Sequence, residues 1–344
     1  MSTAAVDPVA LVDIDGLTGY LRTVVELTGP VTVEVLSGGR SNLTYLARSG
    51  SSEYVLRRRP LGPVAPGAHD MAREYRVQSA LQASGIPLAS VYGYSGDESI
   101  MGAPFYVMSR VHGHVFHQRA DVARLTPEQA ERISEAAVGV LQQIHSVDAA
   151  AVGLGDLGRP EGFVARRISR WLERWRRSEH RDHALVELIG DRLAAQVPPE
   201  ADSTLVHGDY RLGNMVVNPL APHPVAAVLD WEMSTRGDPL TDLAHLLVYW
   251  DRTKGRLTHE SQTISEHPGF LGPDALGGRY AELSGRDIGP LPFYLAFEHW
   301  RAAIIKEGIY TRTRIHATDD ADGDDIGDTV AKHLEEAAEI LGMT

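Results

Sequence analysis

The chain has 344 residues, 43% apolar and 23% charged, with a formal net charge of -13. That is longer than one comfortable core and too apolar for a disordered chain, so two lobes or domains are expected. With no cysteine it excludes disulfide scaffolds, thiol nucleophiles and cysteine-bearing metal clusters, and its acidity argues against a general nucleic-acid binder.

No basic segment precedes an apolar run at the N-terminus, and no stretch reaches the roughly 18 apolar residues of a membrane span. The expectation is a soluble cytoplasmic protein with neither membrane nor nucleic acid as partner. Only Lys254, Lys306 and Lys332 are lysines, so a mechanism needing an early lysine is in difficulty.

Residues 1–29 read as an amphipathic helix packing on the core, with Leu17, Tyr20, Leu21, Val24 and Val25 on one stripe. Gly29-Pro30 ends it. β-like runs follow at Val31–Leu36, Leu43–Ala47 and Tyr54–Arg57, separated by glycine-bearing turns, which suggests an antiparallel meander. A helix is expected over His69–Ala83, then strands at Ser90–Tyr94 and Phe105–Val111. Residues 30–112 therefore read as a small five-stranded lobe with one helix.

Beyond Gly113 the pattern is mainly helical. Thr126-Pro127-Glu128-Gln129 combines an N-cap threonine, a proline at the first helical position and a glutamine closing a capping box, so a helix runs to about His145. Further helices are expected at Gly162–Ser178, Asp182–Val197, after Asp238-Pro239, and near 292–313 and 326–341. Thr204–Val206 with Met215–Val217, and Val225–Leu229, read as short β pieces of an embedded hairpin. The fold class is α+β: a small antiparallel-sheet N-lobe, a hinge near 108–113, and a larger helical C-lobe over 113–344.

Three features lead elsewhere. Gly153-Leu-Gly-Asp-Leu-Gly158 matches a dinucleotide fingerprint, but no strand precedes it and no helix opens after it. The acidic run Asp319–Asp328 has no register with calcium-loop spacing and reads as a solvated loop. Arg166, Arg167, Arg170, Arg174, Arg176 and Arg177 interleave with Trp171 and Trp175. They read as stems covering a helix face beside two buried tryptophans, with binding of an anionic ligand tail as the alternative.

The chemistry-bearing stretch is Leu205-Val206-His207-Gly208-Asp209-Tyr210-Arg211-Leu212-Gly213-Asn214, with apolar residues on both sides. Eleven residues after Asn214 begins Val225–Leu229, which ends abruptly in Asp230-Trp231-Glu232. A base, an amide oxygen and a second carboxylate are what phosphoryl transfer requires. Asp238 and Asp242 read as caps or turn formers. A metal hydrolase using His207 and Asp209 lacks a further histidine at ligand spacing, so His207 is expected to support the loop by hydrogen bonding.

His207-Gly-Asp-Tyr-Arg-Leu-Gly-Asn214 resembles the catalytic loop of the aminoglycoside phosphotransferase and choline kinase-like enzymes. Leu229-Asp-Trp-Glu-Met-Ser-Thr-Arg-Gly-Asp-Pro-Leu-Thr-Asp-Leu-Ala244 resembles their metal segment and the helix after it. The wording of both is most similar to the branch related to the kinase-like domain fused to acyl-CoA dehydrogenases in animals, over roughly residues 30–310. The resemblance implies a protein-kinase-like fold with ATP between two lobes and a small-molecule hydroxyl as acceptor.

It further implies Asp209 as catalytic base and Asn214 and Asp230 as magnesium ligands. Ser37, Gly38, Gly39, Ser41 and Asn42 take the place of the nucleotide-covering loop. Glu74 takes that of the acid paired with a strand cation, with an ordinary surface glutamate as the other reading. Met108, Ser109 and Val111 belong to the adenine hinge. The family's strand lysine is missing; alternation puts Arg57 in its place, with Arg59 second. The expected function is an ATP- and magnesium-dependent small-molecule O-phosphotransferase acting on a hydroxyacyl-CoA-like or aminoglycoside-like compound. The alternative is a nucleotide-binding pseudokinase. Oligomeric state is unreadable.

Overall fold

Side chains alternate across a strand, so Tyr54-Val55-Leu56-Arg57-Arg58 must send Val55 and Arg57 to one face and Leu56 and Arg58 to the other. The computed structural model describes residues 11–37, 42–60, 69–116, 119–199, 202–250, 267–315 and 323–343. Its backbone divides into two units, Met1–His112 with Ala227–Glu232, and Gly113–Ala226 with Met233–Thr344.

The first unit contains α1 (Ile14–Val24), β1 (Val31–Ser37), β2 (Leu43–Ser49), β3 (Ser52–Arg58), α2 (Met71–Leu81), β4 (Val91–Ser95), α3 (Glu98–Met101) and β5 (Phe105–Ser109). The strands form one five-stranded sheet in the order β1-β2-β3-β5-β4, antiparallel throughout. The expected meander and strand count hold. β5 stops at Ser109, short of the expected Val111, and the single turn of α3 was not expected.

Each sheet face has its own core. Tyr45, Leu56, Phe105 and Val107 pack with Leu17 and Leu21 of α1. On the opposite face Val55, Tyr106 and Met108 pack with Met71 of α2. Alternation places Arg58 on the α1 side, where Nε and one terminal nitrogen donate to the Tyr45 hydroxyl at 2.9 and 2.7 Å. Arg57 is left facing α2.

The second unit contains α4 (Arg119–Val122), α5 (Pro127–His145), α6 (Phe163–Arg177), α7 (Ala184–Ala195), β6 (Thr204–Val206) and β7 (Met215–Val217). After β8 (Val225–Val228) come β9 (Thr235–Gly237), α8 (Leu240–Trp250), α9 (Pro273–Ser284), α10 (Leu291–Ile315) and α11 (Gly323–Ile340). The capping box of α5 is complete: the Thr126 N–H donates to Gln129 at 2.9 Å and the Gln129 N–H to Thr126 Oγ1 at 3.3 Å.

The short strands depart from the expected hairpin. β6 pairs with β9, Val206 opposite Thr235, while β7 pairs with β8. A 3₁₀ turn over Leu212–Asn214 separates β7 from β6, and the loop-like Thr235-Arg236-Gly237 supplies the missing partner. Gly153–Gly158 is a run of turns that supports this strand: the Arg236 N–H donates to Leu157 O at 3.0 Å. Gly158 has φ +79°, and a Cβ there would meet Thr235 Oγ1 at 2.1 Å.

α9 was also unanticipated, although it opens with Pro273 and closes on Gly285 in the left-handed region. The acidic run is helical from Gly323 rather than a solvated loop; residues 319–322 lie outside the described residues. Trp175 is buried but Trp171 only partly so. Among the described residues, no helix is long and apolar enough to cross a membrane.

Candidate active site

β6 runs straight into His207-Gly208-Asp209, and the turn that follows is fixed from behind. Gly208 has φ +87°, and a Cβ there would lie 2.7 Å from the Met233 carbonyl. Only glycine adopts that backbone without strain. The buried Asp242 of α8 accepts from the N–H groups of His207 and Gly208 at 2.5 and 2.8 Å. His145 of α5 lies 3.3 Å from Asp242 and 2.7 Å from the Tyr280 hydroxyl. Asp242 is therefore structural, as read from the sequence, but it anchors the loop rather than merely capping a helix. His207 also supports the loop, its Nδ1 accepting from the Asp209 N–H at 3.2 Å.

Both Asp209 carboxylate oxygens are engaged. Oδ1 lies 2.8 Å from His245 Nε2, and Oδ2 accepts from Asn214 Nδ2 at 2.7 Å. Asn214 Nδ2 also reaches the Asp209 carbonyl at 2.9 Å, which leaves the amide oxygen of Asn214 as an acceptor. Arg211 Nε stands 3.4 Å from Oδ1. Desolvation alone would raise the Asp209 carboxyl, but the His245 hydrogen bond and charge, then Arg211 and His207, hold it well below the usual range. Its side chain is still 30% exposed.

Behind His245 lies a second layer. Its Nδ1 is 3.1 Å from Glu298 and 2.6 Å from a terminal nitrogen of Arg301. Burial would lower the imidazole pKa, yet the hydrogen bonds to Asp209 and Glu298 raise it. Whether the ring is neutral with Arg301 donating to Nδ1, or cationic, the Nε2–H donates to Asp209. Arg301 in turn donates to Glu298 at 2.9 and 2.6 Å, and with His245 pulls that carboxyl down to about 2 against the effect of burial.

The first unit holds the remaining residues. Arg57 lies between two carboxylates, its Nε 3.1 Å from Glu74 and a terminal nitrogen 2.6 Å from Asp230. Burial opposes the Arg57 charge, but Glu74 foremost, with Tyr106, Asp230 and Glu232, raises its pKa. Glu74 is fully buried, so the surface-glutamate reading is overturned. Burial pushes its carboxyl up to about 7 against the pull of Arg57. Arg59, the second candidate, points to Glu98 at 3.2 Å instead.

Asp230 has φ +67°, a left-handed conformation uncommon outside glycine that signals strain held by its surroundings. Next to it the Trp231 indole is buried and donates to Val228 O at 3.0 Å, and Val228 N–H donates to Pro87 O at 2.9 Å. Asn42 is buried with its amide donating to Glu232 at 3.1 Å, so that donor is already used within the unit. Ser37 ends β1, whereas Gly38, Gly39 and Ser41 lie outside the described residues.

In the segment expected as the hinge, the Ser109 N–H is committed to Ser90 O at 2.7 Å, and Met108 lies inside β5 opposite Val55 and Val91. The Val111 N–H has no hydrogen-bond partner among the described residues. As oxygen donors for a hard cation, the Asn214 amide oxygen and the Asp230 carboxylate, 22% exposed, are of the right chemistry. Among the described residues no cluster of three or more His, Cys, Asp or Glu could hold a metal by itself.

Sequence reasoning missed His245, Glu298, Arg301 and His145. One signal was available for His245: it is an imidazole in the otherwise apolar Leu243-Ala-His-Leu-Leu-Val248, one helical turn after Asp242.

Residues 32–276 match the model of the phosphotransferase enzyme family. The chain is 35% identical over 294 residues to acyl-CoA dehydrogenase family member 11 of Gallus gallus, covering 83% of this chain and 37% of that protein. It thus spans little more than a third of the length of that relative. A solved structure from Ralstonia eutropha, named "putative aminoglycoside phosphotransferase", superposes with TM-score 0.83 at 32% identity, over 96% of this chain and 98% of that one. The ADP and hygromycin B complex of aminoglycoside phosphotransferase APH(4)-Ia shares the fold, with TM-score 0.61 at 18% identity over 96% and 98% of the two chains.

Proposed function

Because the chain belongs to the phosphotransferase enzyme family, we propose that it transfers a phosphoryl group from magnesium-bound ATP to the hydroxyl of a small molecule. The observation that carries this reading is the Asp209 carboxylate, kept ionised against burial by His245, then Arg211 and His207, with its side chain still 30% exposed. Such a group can accept the proton of an acceptor hydroxyl as the oxygen attacks phosphorus. His245 orients Oδ1 and Asn214 orients Oδ2.

Arg57 takes the role of the family's strand cation and grips nucleotide phosphates, with Glu74 holding it in place. The Asn214 amide oxygen and the Asp230 carboxylate each offer the kind of oxygen ligand magnesium takes, and the ion would supply charge neutralisation on the phosphates when bound. The Val111 N–H serves as an adenine contact. The names borne by the relatives suggest two acceptor classes to try, hydroxylated acyl thioesters and aminoglycosides.

The test is ATP-dependent mass gain of one phosphoryl group across pools of both acceptor classes, together with slow ATP hydrolysis, in wild type and Asp209→Ala. Turnover lost in the variant supports the reading. Equal rates would remove Asp209 from the mechanism, and nucleotide binding with no product from any pool would leave a binder without turnover.

A further inference from the structure

α6 and α10 carry two pairs of arginines. In the first, the charges of Arg167 and Arg301 oppose each other, and the buried Glu298 carboxylate compensates both. In the second, Arg174 and Arg312 line one cavity of about 260 Å³. Neither forms an ion pair with a carboxylate among the described residues. The neighbouring arginines Arg176 and Arg177 are by contrast paired, with Glu187 and Glu173. Desolvation, then the Arg312 charge, depresses the Arg174 pKa, as expected for like charges without an intervening anion.

The cavity is prepared in three further ways. The Arg174 guanidinium lies over the Trp171 ring, 5.0 Å from its centroid. That cation–π contact holds the group beside the ring without using its N–H donors. Trp175 and His180, stacked at 3.5 Å and 15°, line the same space with a stiff aromatic wall. Gly308, inside α10, would place a Cβ with only Arg312 nearby, at 3.6 Å, so its missing side chain keeps open the space beside that guanidinium. Glu179 also lines the cavity and, like Arg174 and Arg312, is exposed; it forms no ion pair with either arginine among the described residues.

We propose that the cavity between α6 and α10 is a phosphate-binding subsite, in which Arg174 and Arg312 grip one phosphate group of a phosphorylated small molecule. At about 260 Å³ it is smaller than pockets that enclose whole ligands, roughly 300–1,000 Å³, which suits one charged group of a larger molecule. The phosphate can be a remote group of the acceptor or belong to a separate effector. The subsite does not depend on turnover.

The experiment is a calorimetric titration with inorganic phosphate and with pyrophosphate, run on the full chain carrying Arg57→Ala so that the nucleotide-binding cation does not contribute. Saturable binding is expected, weakened about tenfold or more by Arg174→Ala or Arg312→Ala, since each removes a charge-assisted contact. Gly308→Leu should block it with both charges retained. No binding, or binding unchanged in the double alanine variant and in Gly308→Leu, would overturn the proposal. If pyrophosphate changes basal ATP hydrolysis in the chain with Arg57 intact, and Gly308→Leu abolishes that change, the phosphate is an effector's. If hydrolysis is unmoved, it belongs to the acceptor. A failure of Asp209→Ala to affect turnover leaves these binding readouts untouched.

Discussion

The Oδ1 oxygen of Asp209 lies 2.8 Å from Nε2 of His245, with Glu298 and Arg301 behind the ring. A carboxylate hydrogen-bonded so firmly is a weak base but a well-aimed one. His245→Gln should lower kcat about ten- to a hundredfold with KM for ATP little changed, whereas Asp209→Ala should cost about 10²–10⁴-fold. Steady-state kinetics separates the two. A KM effect alone from His245→Gln would contradict the positioning role.

Arg57 meets Glu74 through Nε and Asp230 through a terminal nitrogen, a span that one ammonium cannot reproduce. Arg57→Lys, which installs the family's usual residue, should keep nucleotide affinity within about tenfold but lose about 1–3 kcal/mol of stability. Glu74→Ala should cost more, about 3–5 kcal/mol, because it removes one of the two carboxylates that compensate a largely enclosed guanidinium. Urea denaturation measures both, and a neutral Glu74→Ala would mean that the pair is not holding the site together.

Gly208 stands against the Met233 carbonyl with φ +87°. Gly208→Ala should destabilise the protein by about 1–3 kcal/mol through backbone strain and displace Asp209. Loss of activity out of proportion to the shift in melting temperature would show that the loop, rather than the fold, is the casualty.

Lys306 of α10 is partly buried with no ion pair among the described residues, and burial lowers its pKa to about 8. The unfolded chain, with an ordinary lysine near 10.5, binds more protons between those values. Stability should therefore rise as pH increases from about 8 to 10.5, by up to roughly 3 kcal/mol at 1.36 kcal/mol per pKa unit. Lys306→Met should flatten that limb and stabilise the protein at neutral pH. Denaturation curves across this range check the slope.

Elements with strong local signals were legible: the meander of β1 to β3 from its glycine turns, and α5 from its capping box. β9 was not, because Thr235-Arg236-Gly237 becomes a strand only through the edge that β6 offers it. The meeting of Asp209 and Asn214 could be read because they sit at fixed spacing within one loop. Arg57 could be placed by strand alternation. Glu74 carries a readable signal too: Met71, Glu74, Val77, Gln78 and Leu81 share the inward stripe of α2. The second layer of His245, Glu298 and Arg301 joins α8 to α10 across more than fifty residues, and no local pattern encodes that meeting.

The placement of Ala227–Glu232 in the first unit bears on biosynthesis. Arg57 emerges from the ribosome 173 residues of synthesis ahead of Asp230, its second carboxylate. At about 5–20 residues per second that interval is roughly ten to thirty-five seconds, during which the nascent sheet carries an enclosed cation with one partner only. The N-terminal unit is thus finished late, after α4 to α7 have emerged, and co-translational folding of this chain cannot proceed one unit at a time.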